Sequence, residues 1–396
     1  MDMLFSDRIR DVPRSFIREI LKTALRPDVI SFAGGLPNRK LFPVEELREA
    51  TGRVFDGESR DVLQYGQSEG YPELRELIAQ RYWDKQGLKI SADEVLITSG
   101  SQQGLDLLGK TLLNDGEGLI LEEPGYLGAI QAFSMYRPAF LTVGVSEAGM
   151  DCGKLREAIA SGRPKLMYTV PNYQNPSGIS YPEENRRAVC ESLEGTEVLL
   201  IEDDPYGDLR FRGERRSSFL RWRGNQTILL GSFSKVIVPG FRLGWLVAPL
   251  PIMERLLVAK QASDLHTTHF TQAILVQYLR ENDLDAHVER IVEAYGRQCE
   301  AMLGAIGRYF PPSVRYTRPE GGMFLWAELP GNLSSLELFE MAVEEKVVFV
   351  PGDPFYVARR GTNTMRLNFS CVDEATIETG IRRLGGAIEK LIKSKG

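Results

Sequence analysis

The chain has 396 residues, more than one hydrophobic core usually serves, so two or three folding units are expected. It is 43% apolar and 26% charged, and its net charge of −6 gives no electrostatic basis for binding nucleic acid or an anionic membrane. No stretch reaches the roughly 18 uninterrupted apolar residues of a spanning helix, and Met1, Asp2 and Met3 open without a basic segment, so a cytoplasmic chain with small solutes as partners is expected.

Residues 1–60 are too short for a core of their own and are expected to lie against a smaller C-terminal unit. From 61 to 282, short apolar runs alternate with helical ones: "EVLITSG" then "SQQGLDLLGKTLL", "LMYTV" then "PEENRRAVCESL", "VLLIEDD" then "TILLGSFSK". Short, nearly continuous apolar strands between helices predict an α/β domain with a mainly parallel sheet covered on both faces. Ligands of such sheets gather at the carboxyl ends of strands. "SGSQQG", "PNYQNPSG", "EDDPYG" and "SFSK" each begin where a predicted strand stops, so they are expected to converge. Residues 283–396 read as a smaller α+β domain: a long helix over about 283–310, strands in "GGMFLWAEL", "VVFVPG" and "TMRLNFS", and a final helix.

Cys152, Cys190, Cys299 and Cys371 have no Cys-x-x-Cys spacing, and His266 and His269 lack an accompanying ligand set, so no metal site is expected. The informative residue is Lys235, in the otherwise apolar "GSFSKVIVPGFRLGW". A buried ammonium is costly, and a lysine of lowered pKa is a nucleophile toward carbonyls, typically as a Schiff base with an aldehyde cofactor such as pyridoxal 5′-phosphate. That cofactor's phosphate needs hydroxyls, helix-start N–H groups and an arginine; Ser232, Ser234, Arg242 and "SGSQQG" are suited to it. Its pyridine nitrogen needs a carboxylate, and Asp203 and Asp204 end an apolar strand. Its 3-oxygen needs orienting donors, for which Tyr206 and Asn175 are at hand.

In this order and spacing, Asn175 to Gly178, Asp203 to Tyr206, and Ser232 to Lys235 with Arg242 seven beyond resemble the class I aminotransferases of the fold type I pyridoxal phosphate family. The likeness runs through the whole chain and is strongest to the branch of 2-aminoadipate, kynurenine and aromatic aminotransferases. It implies that Lys235 carries the cofactor and Asp203 pairs with the pyridine nitrogen. Tyr206 and Asn175 would bond the 3-oxygen, and Ser101, Gln102, Ser232, Ser234 and Arg242 would hold the phosphate. Tyr126 matches the aromatic stacked on the ring, and Tyr65 the tyrosine that reaches the neighbouring subunit's phosphate, which makes a homodimer. Arg366 would grip the substrate α-carboxylate, beside the glycine turn at Gly35 and Asn175. Arg18 in "FIREILK", with Arg14 close by, would meet a distal carboxylate. Neighbouring strand residues face opposite ways, so only one of Asp203 and Asp204 addresses the ring, and Asp203, three before Tyr206, is chosen.

The implied reaction is transfer of an amino group from an L-amino acid to a 2-oxo acid such as 2-oxoglutarate. The alternatives are a C–S lyase or decarboxylase of the same fold, or an aminotransferase-like regulatory domain, which only about 60 residues ahead of the sheet disfavour.

Overall fold

The computed structural model describes residues 4–10, 26, 28–57, 60–331, 333–358 and 361–395. A two-residue strand, β1 (Ile30–Ser31), is followed by the helix Val44–Asp56, and then by the strands of the large sheet. These are β2 (Val95–Thr98), β3 (Gly118–Glu123), β4 (Ala139–Ser146), β5 (Gly149–Met150), β6 (Pro164–Thr169), β7 (Leu199–Asp203), β8 (Thr227–Ser232) and β9 (Gly244–Val247). Their spatial order is β2-β9-β8-β7-β6-β3-β4-β5.

The central strands pair in parallel, while β9 runs antiparallel to both β2 and β8, and β5 antiparallel to β4. Strands β2 and β8 are buried at every position, as burial on both faces demands, and this is why their sequences are continuous apolar runs. Helices Ser101–Leu112, Leu127–Ser134, Cys152–Gly162 and Glu183–Ser192 link consecutive strands. Because Ser232 and Thr98 both pair with Gly244, the start of β9 lies at the edge where β2 and β8 end. A Cβ on Gly244 would sit 2.6 Å from the Ser101 nitrogen, so only glycine lets β9 approach the turn after β2.

The C-terminal part begins with the helix Leu284–Tyr309, whose N-terminus is capped by the Asp283 side chain, accepting from the N–H groups of Asp285 and Ala286. Its inward face, with Val288, Ile291, Tyr295, Cys299, Met302 and Ile306, follows helical spacing. Strands β10 (Arg315–Tyr316), β11 (Phe324–Glu328), β13 (Val350–Pro351) and β14 (Thr364–Asn368) form an antiparallel sheet in the order β10-β11-β14-β13. Between β11 and β13, β12 (Val347–Val348) pairs in parallel with β1, tying residues 30–31 to this unit, while the helix Val44–Asp56 rests on the helix His269–Glu281. The chain ends in the helix Glu374–Lys395.

Candidate active site

The carboxyl edge of the large sheet faces β14 and the segment after β1, and hydrogen bonds across this seam join Lys235 to Gly35, Arg366 to Asn175 and Ala33, and Asn175 to Tyr206. Lys235 follows β8 in a tight turn; its Nζ donates to the Gly35 carbonyl at 2.8 Å, and among the described residues it has no carboxylate partner. Burial, with the cations Arg366 and Arg242 in the neighbourhood, lowers its pKa to about 8, against a weaker upward pull from Cys371.

Asp203, the last residue of β7, is 1% exposed. Tyr168 donates to its Oδ2 at 2.7 Å, while Oδ1 has no partner. Burial raises its carboxyl to about 7. Asp204 lines a cavity of about 250 Å³ shared with Arg81, Asp208 and Trp245, which includes none of Lys235, Asn175 or Arg366. The two carboxylates are thus split between two faces, as strand alternation requires.

Arg366, in the middle of β14, is 3% exposed. Its Nη1 donates to Asn175 Oδ1 at 2.7 Å and its Nη2 to the Ala33 carbonyl at 2.8 Å, leaving Nε unpartnered. The guanidinium carbon lies 4.4 Å from the ring centre of Phe324 and 5.1 Å from that of Phe355. Burial lowers its pKa to about 10, and among the described residues no carboxylate pairs with it. Asn175 Nδ2 donates to Tyr206 Oη at 3.5 Å, and Tyr206 meets Phe324 edge-on. Tyr126 caps the helix Leu127–Ser134, and burial raises its phenol to about 12. The segment 33–36 is held against this group by Arg366, by Lys235, and by Ser370 and Cys371, whose side chains both donate to the Leu36 carbonyl.

At the other end of the seam, Gly100 precedes the helix Ser101–Leu112 with φ at 76°, and a Cβ there would sit 2.6 Å from Arg242 Nη2. Arg242 itself is exposed, and among the described residues its guanidinium hydrogen-bonds only to the Ser99 carbonyl, at 3.4 Å. Ser232 Oγ accepts from the Ser234 N–H, and both serines are buried. The Gln102 carboxamide is committed to the Gly128 carbonyl at 2.9 Å, so what Gln102 offers this corner is its first-turn backbone N–H. Tyr65 is 78% exposed and stands edge-on to His266. Arg18 and Arg14 lie outside the described residues.

These features fit pyridoxal phosphate: a hydrogen-bond acceptor left free on a buried carboxylate, a lysine inclined to lose its proton, and an uncommitted arginine beside a glycine turn at a helix start. Sequence reasoning missed Tyr168, Phe324 and Phe355. Tyr168 had one signal, since a phenol inside an apolar strand needs a hydrogen-bond partner.

Fold and seam together define an enzyme that handles amino acids through a lysine-bound aldehyde cofactor. The family "Aminotransferase class I and II" matches residues 27–384. The 2-aminoadipate transaminase of Thermus thermophilus is 42% identical, over 96% of this chain and 95% of that protein. Aromatic-amino-acid aminotransferase 1 of Thermococcus litoralis is 40% identical, over 98% and 95%. The crystal structure of LysN, the α-aminoadipate aminotransferase of Thermus thermophilus, complexed with N-(5′-phosphopyridoxyl)-L-leucine, superposes with a TM-score of 0.92 at 41% identity, covering 99% of both chains. The chain belongs to the class I and II aminotransferases, and is a pyridoxal phosphate-dependent transaminase of fold type I. Among the described residues, no helix is long and apolar enough to cross a membrane.

Proposed function

We propose that this transaminase moves the amino group of an L-amino acid (2-aminoadipate, glutamate, or an aromatic or aliphatic donor) to a 2-oxo acid such as 2-oxoglutarate, as a cytoplasmic homodimer. The observation that carries the reading is Arg366: a buried guanidinium without a carboxylate partner among the described residues, its fork held by Asn175 and Ala33 and its faces by two phenylalanines. Such a cation calls for an anion, and a planar carboxylate common to all amino acids matches it.

When bound, pyridoxal phosphate supplies the electron sink that acidifies the substrate Cα–H bond. In this reading Asp203 Oδ1 would accept from the ring nitrogen, Asn175 and Tyr206 would address the 3-oxygen, and Tyr126 would stack on the ring. Ser101, the Gln102 N–H, Ser232, Ser234 and Arg242 would hold the phosphate. Lys235 Nζ would hold the cofactor and would serve as the base that takes the proton from the substrate's Cα, with the Gly35 carbonyl accepting from it. The exposed Tyr65, beside exposed Leu63 and near exposed Leu265, favours contact with a second copy, whose phosphate the phenol would reach. The relatives' names, aromatic and 2-aminoadipate, and the leucine adduct in LysN favour a donor pocket that takes both acidic and apolar side chains.

Purified protein with pyridoxal phosphate and 2-oxoglutarate is expected to yield glutamate and the matching 2-oxo acid from 2-aminoadipate, phenylalanine and leucine. Release of a thiol or of carbon dioxide without glutamate would overturn the reading in favour of a lyase or decarboxylase.

A further inference from the structure

Tyr168 on β6 pairs in register with Ile201 of β7, so Asp203, two residues further on, lies on the same face of the sheet as the tyrosine. The phenol is fully buried, donates to Asp203 Oδ2 at 2.7 Å, and its ring stands edge-on to Phe133 at 5.9 Å between centroids. One oxygen of the carboxylate is therefore committed and the other, Oδ1, is free. We propose that Tyr168 is a positioning residue for the transamination: its phenol holds Asp203 with Oδ1 presented to the cofactor and, by favouring the charged carboxylate, keeps the shared proton on the pyridine nitrogen. This rests on the reading of Asp203 given above.

A hydroxyl binds a carboxylate more strongly than it binds a carboxylic acid. In a carboxyl–pyridine pair that shares one proton, the donor therefore favours carboxylate with pyridinium over acid with pyridine. That bias is needed here, because burial and the nearby acids Asp204 and Glu122 all push Asp203 toward its neutral form, and the bond from Tyr168 opposes them. Burial and the Asp203 charge hold the phenol well above its ordinary pKa of 10, so it remains a donor throughout the working range of pH. A tyrosine that only filled the core would need its ring and not its hydroxyl.

The test is Tyr168→Phe, which keeps the ring, read by nitrogen NMR of enzyme reconstituted with pyridine-¹⁵N-labelled pyridoxal phosphate. The ring-nitrogen resonance should move from the pyridinium position toward neutral pyridine. kcat should fall about tenfold or more, as for loss of one charge-assisted hydrogen bond, with KM for the amino donor nearly unchanged. In cofactor-free protein the Asp203 carboxyl, followed by ¹³C labelling, should titrate at higher pH in the variant than in the wild type. Asp203→Asn serves as the reference. If that variant leaves the nitrogen resonance in place, the reading of Asp203 fails. If Asp203→Asn moves the resonance and a Tyr168→Phe protein of wild-type melting temperature does not, Tyr168 is core and the proposal is overturned. Should Tyr168→Phe not fold, 3-fluorotyrosine at position 168, a stronger donor of nearly the same shape, should shift the proton further onto the ring nitrogen; no response would equally overturn it.

Discussion

Lys260, in the helix Leu250–Asp264, is fully buried, and its ammonium meets Gln103 Oε1 and Thr267 Oγ1 at 2.8 Å each and the Asp264 carboxylate at 2.8 and 2.9 Å. Lys235 is half-buried, and its ammonium donates to one carbonyl, that of Gly35. Burial lowers the pKa of both, but at Lys260 the bonded Asp264 carboxylate pulls it back up, whereas at Lys235 the upward pull comes from the Cys371 thiol, and Arg366 and Arg242 act with burial. The first lysine is satisfied as a cation and acts as a rivet. Gln103 belongs to the helix after β2, and Thr267 donates to the Ile97 carbonyl, so Lys260 ties the β2 turn to the corner before the helix His269–Glu281. The second is left under-satisfied in the charged form, which is the condition for a lysine that must give up its proton and attack a carbonyl. Burial alone does not separate support from chemistry; the partners do.

The comparison breaks most visibly at Lys235. Lys235→Ala should lose transamination by about 10⁴-fold, the upper range for removing a general base, while binding cofactor noncovalently. Borohydride reduction of the yellow wild-type protein should fix the cofactor to the peptide carrying Lys235. Label on Lys260 or Lys110 would assign the active centre elsewhere.

A smaller loss is expected at the cation beside it. Arg366→Lys removes one arm of a bidentate contact and should raise KM for every amino donor, acidic or apolar, by about ten- to a hundredfold, corresponding to roughly 1.5–3 kcal/mol for a hydrogen bond between charged groups. Steady-state kinetics with glutamate, leucine and phenylalanine check this. A penalty confined to glutamate would mean that Arg366 meets the side chain and not the common α-carboxylate.

Lys260→Met should behave in the opposite sense to Lys235→Ala. It takes one donor each from the Asp264 carboxylate, Gln103 Oε1 and Thr267 Oγ1, the first two keeping Gln103 Nε2 and the Ser99 N–H, and is expected to cost about 1–3 kcal/mol of stability, seen as a lower melting temperature. Once folded and loaded, the variant should retain most of its kcat. Loss of activity without loss of stability would bring Lys260 into the catalytic group.

The parallel sheet was legible because strands buried on both faces are mostly apolar, as in the Val95–Ile97 run of β2, Leu199–Ile201 of β7 and Ile228–Leu230 of β8. Lys235, Asp203 and Asn175 drew notice as polar residues at or beyond the carboxyl ends of strands, whereas Arg242, just before β9, drew it by its spacing of seven from Lys235. Strand alternation said that only one of Asp203 and Asp204 faces the ring, and the spacing of three to Tyr206 chose Asp203. What escaped was packing across the chain. Phe324 and Phe355 look like any core phenylalanine until β11 and the turn after β13 bring them against Arg366. Nothing in the sequence marks Lys260 as buried, because its acceptors come from Gln103 and Thr267 as well as from its own helix.

The smallest expected effect is a shift in titration, and it tests the electrostatic half of the contrast. In cofactor-free protein, trace acylation with competing reagent followed across pH should give Lys235 a midpoint near 8, while the exposed Lys154, whose ammonium Glu157 stabilises, should show one above 10.5. Since the unfolded chain holds this proton up to about pH 10.5, the Lys235 ammonium costs the fold stability below pH 8. That cost fades as pH rises from 8 to 10.5, so this residue's contribution makes the folded state relatively more stable across that window. Arg366→Gln removes one of the cations that depress Lys235 and should move its midpoint upward. Acetate at concentrations that occupy Arg366 should do the same in the wild type, because a bound carboxylate neutralises the same charge. A midpoint unmoved by either would assign the whole depression to burial. A midpoint at or above 10.5 in the wild type would remove the physical distinction between the two lysines.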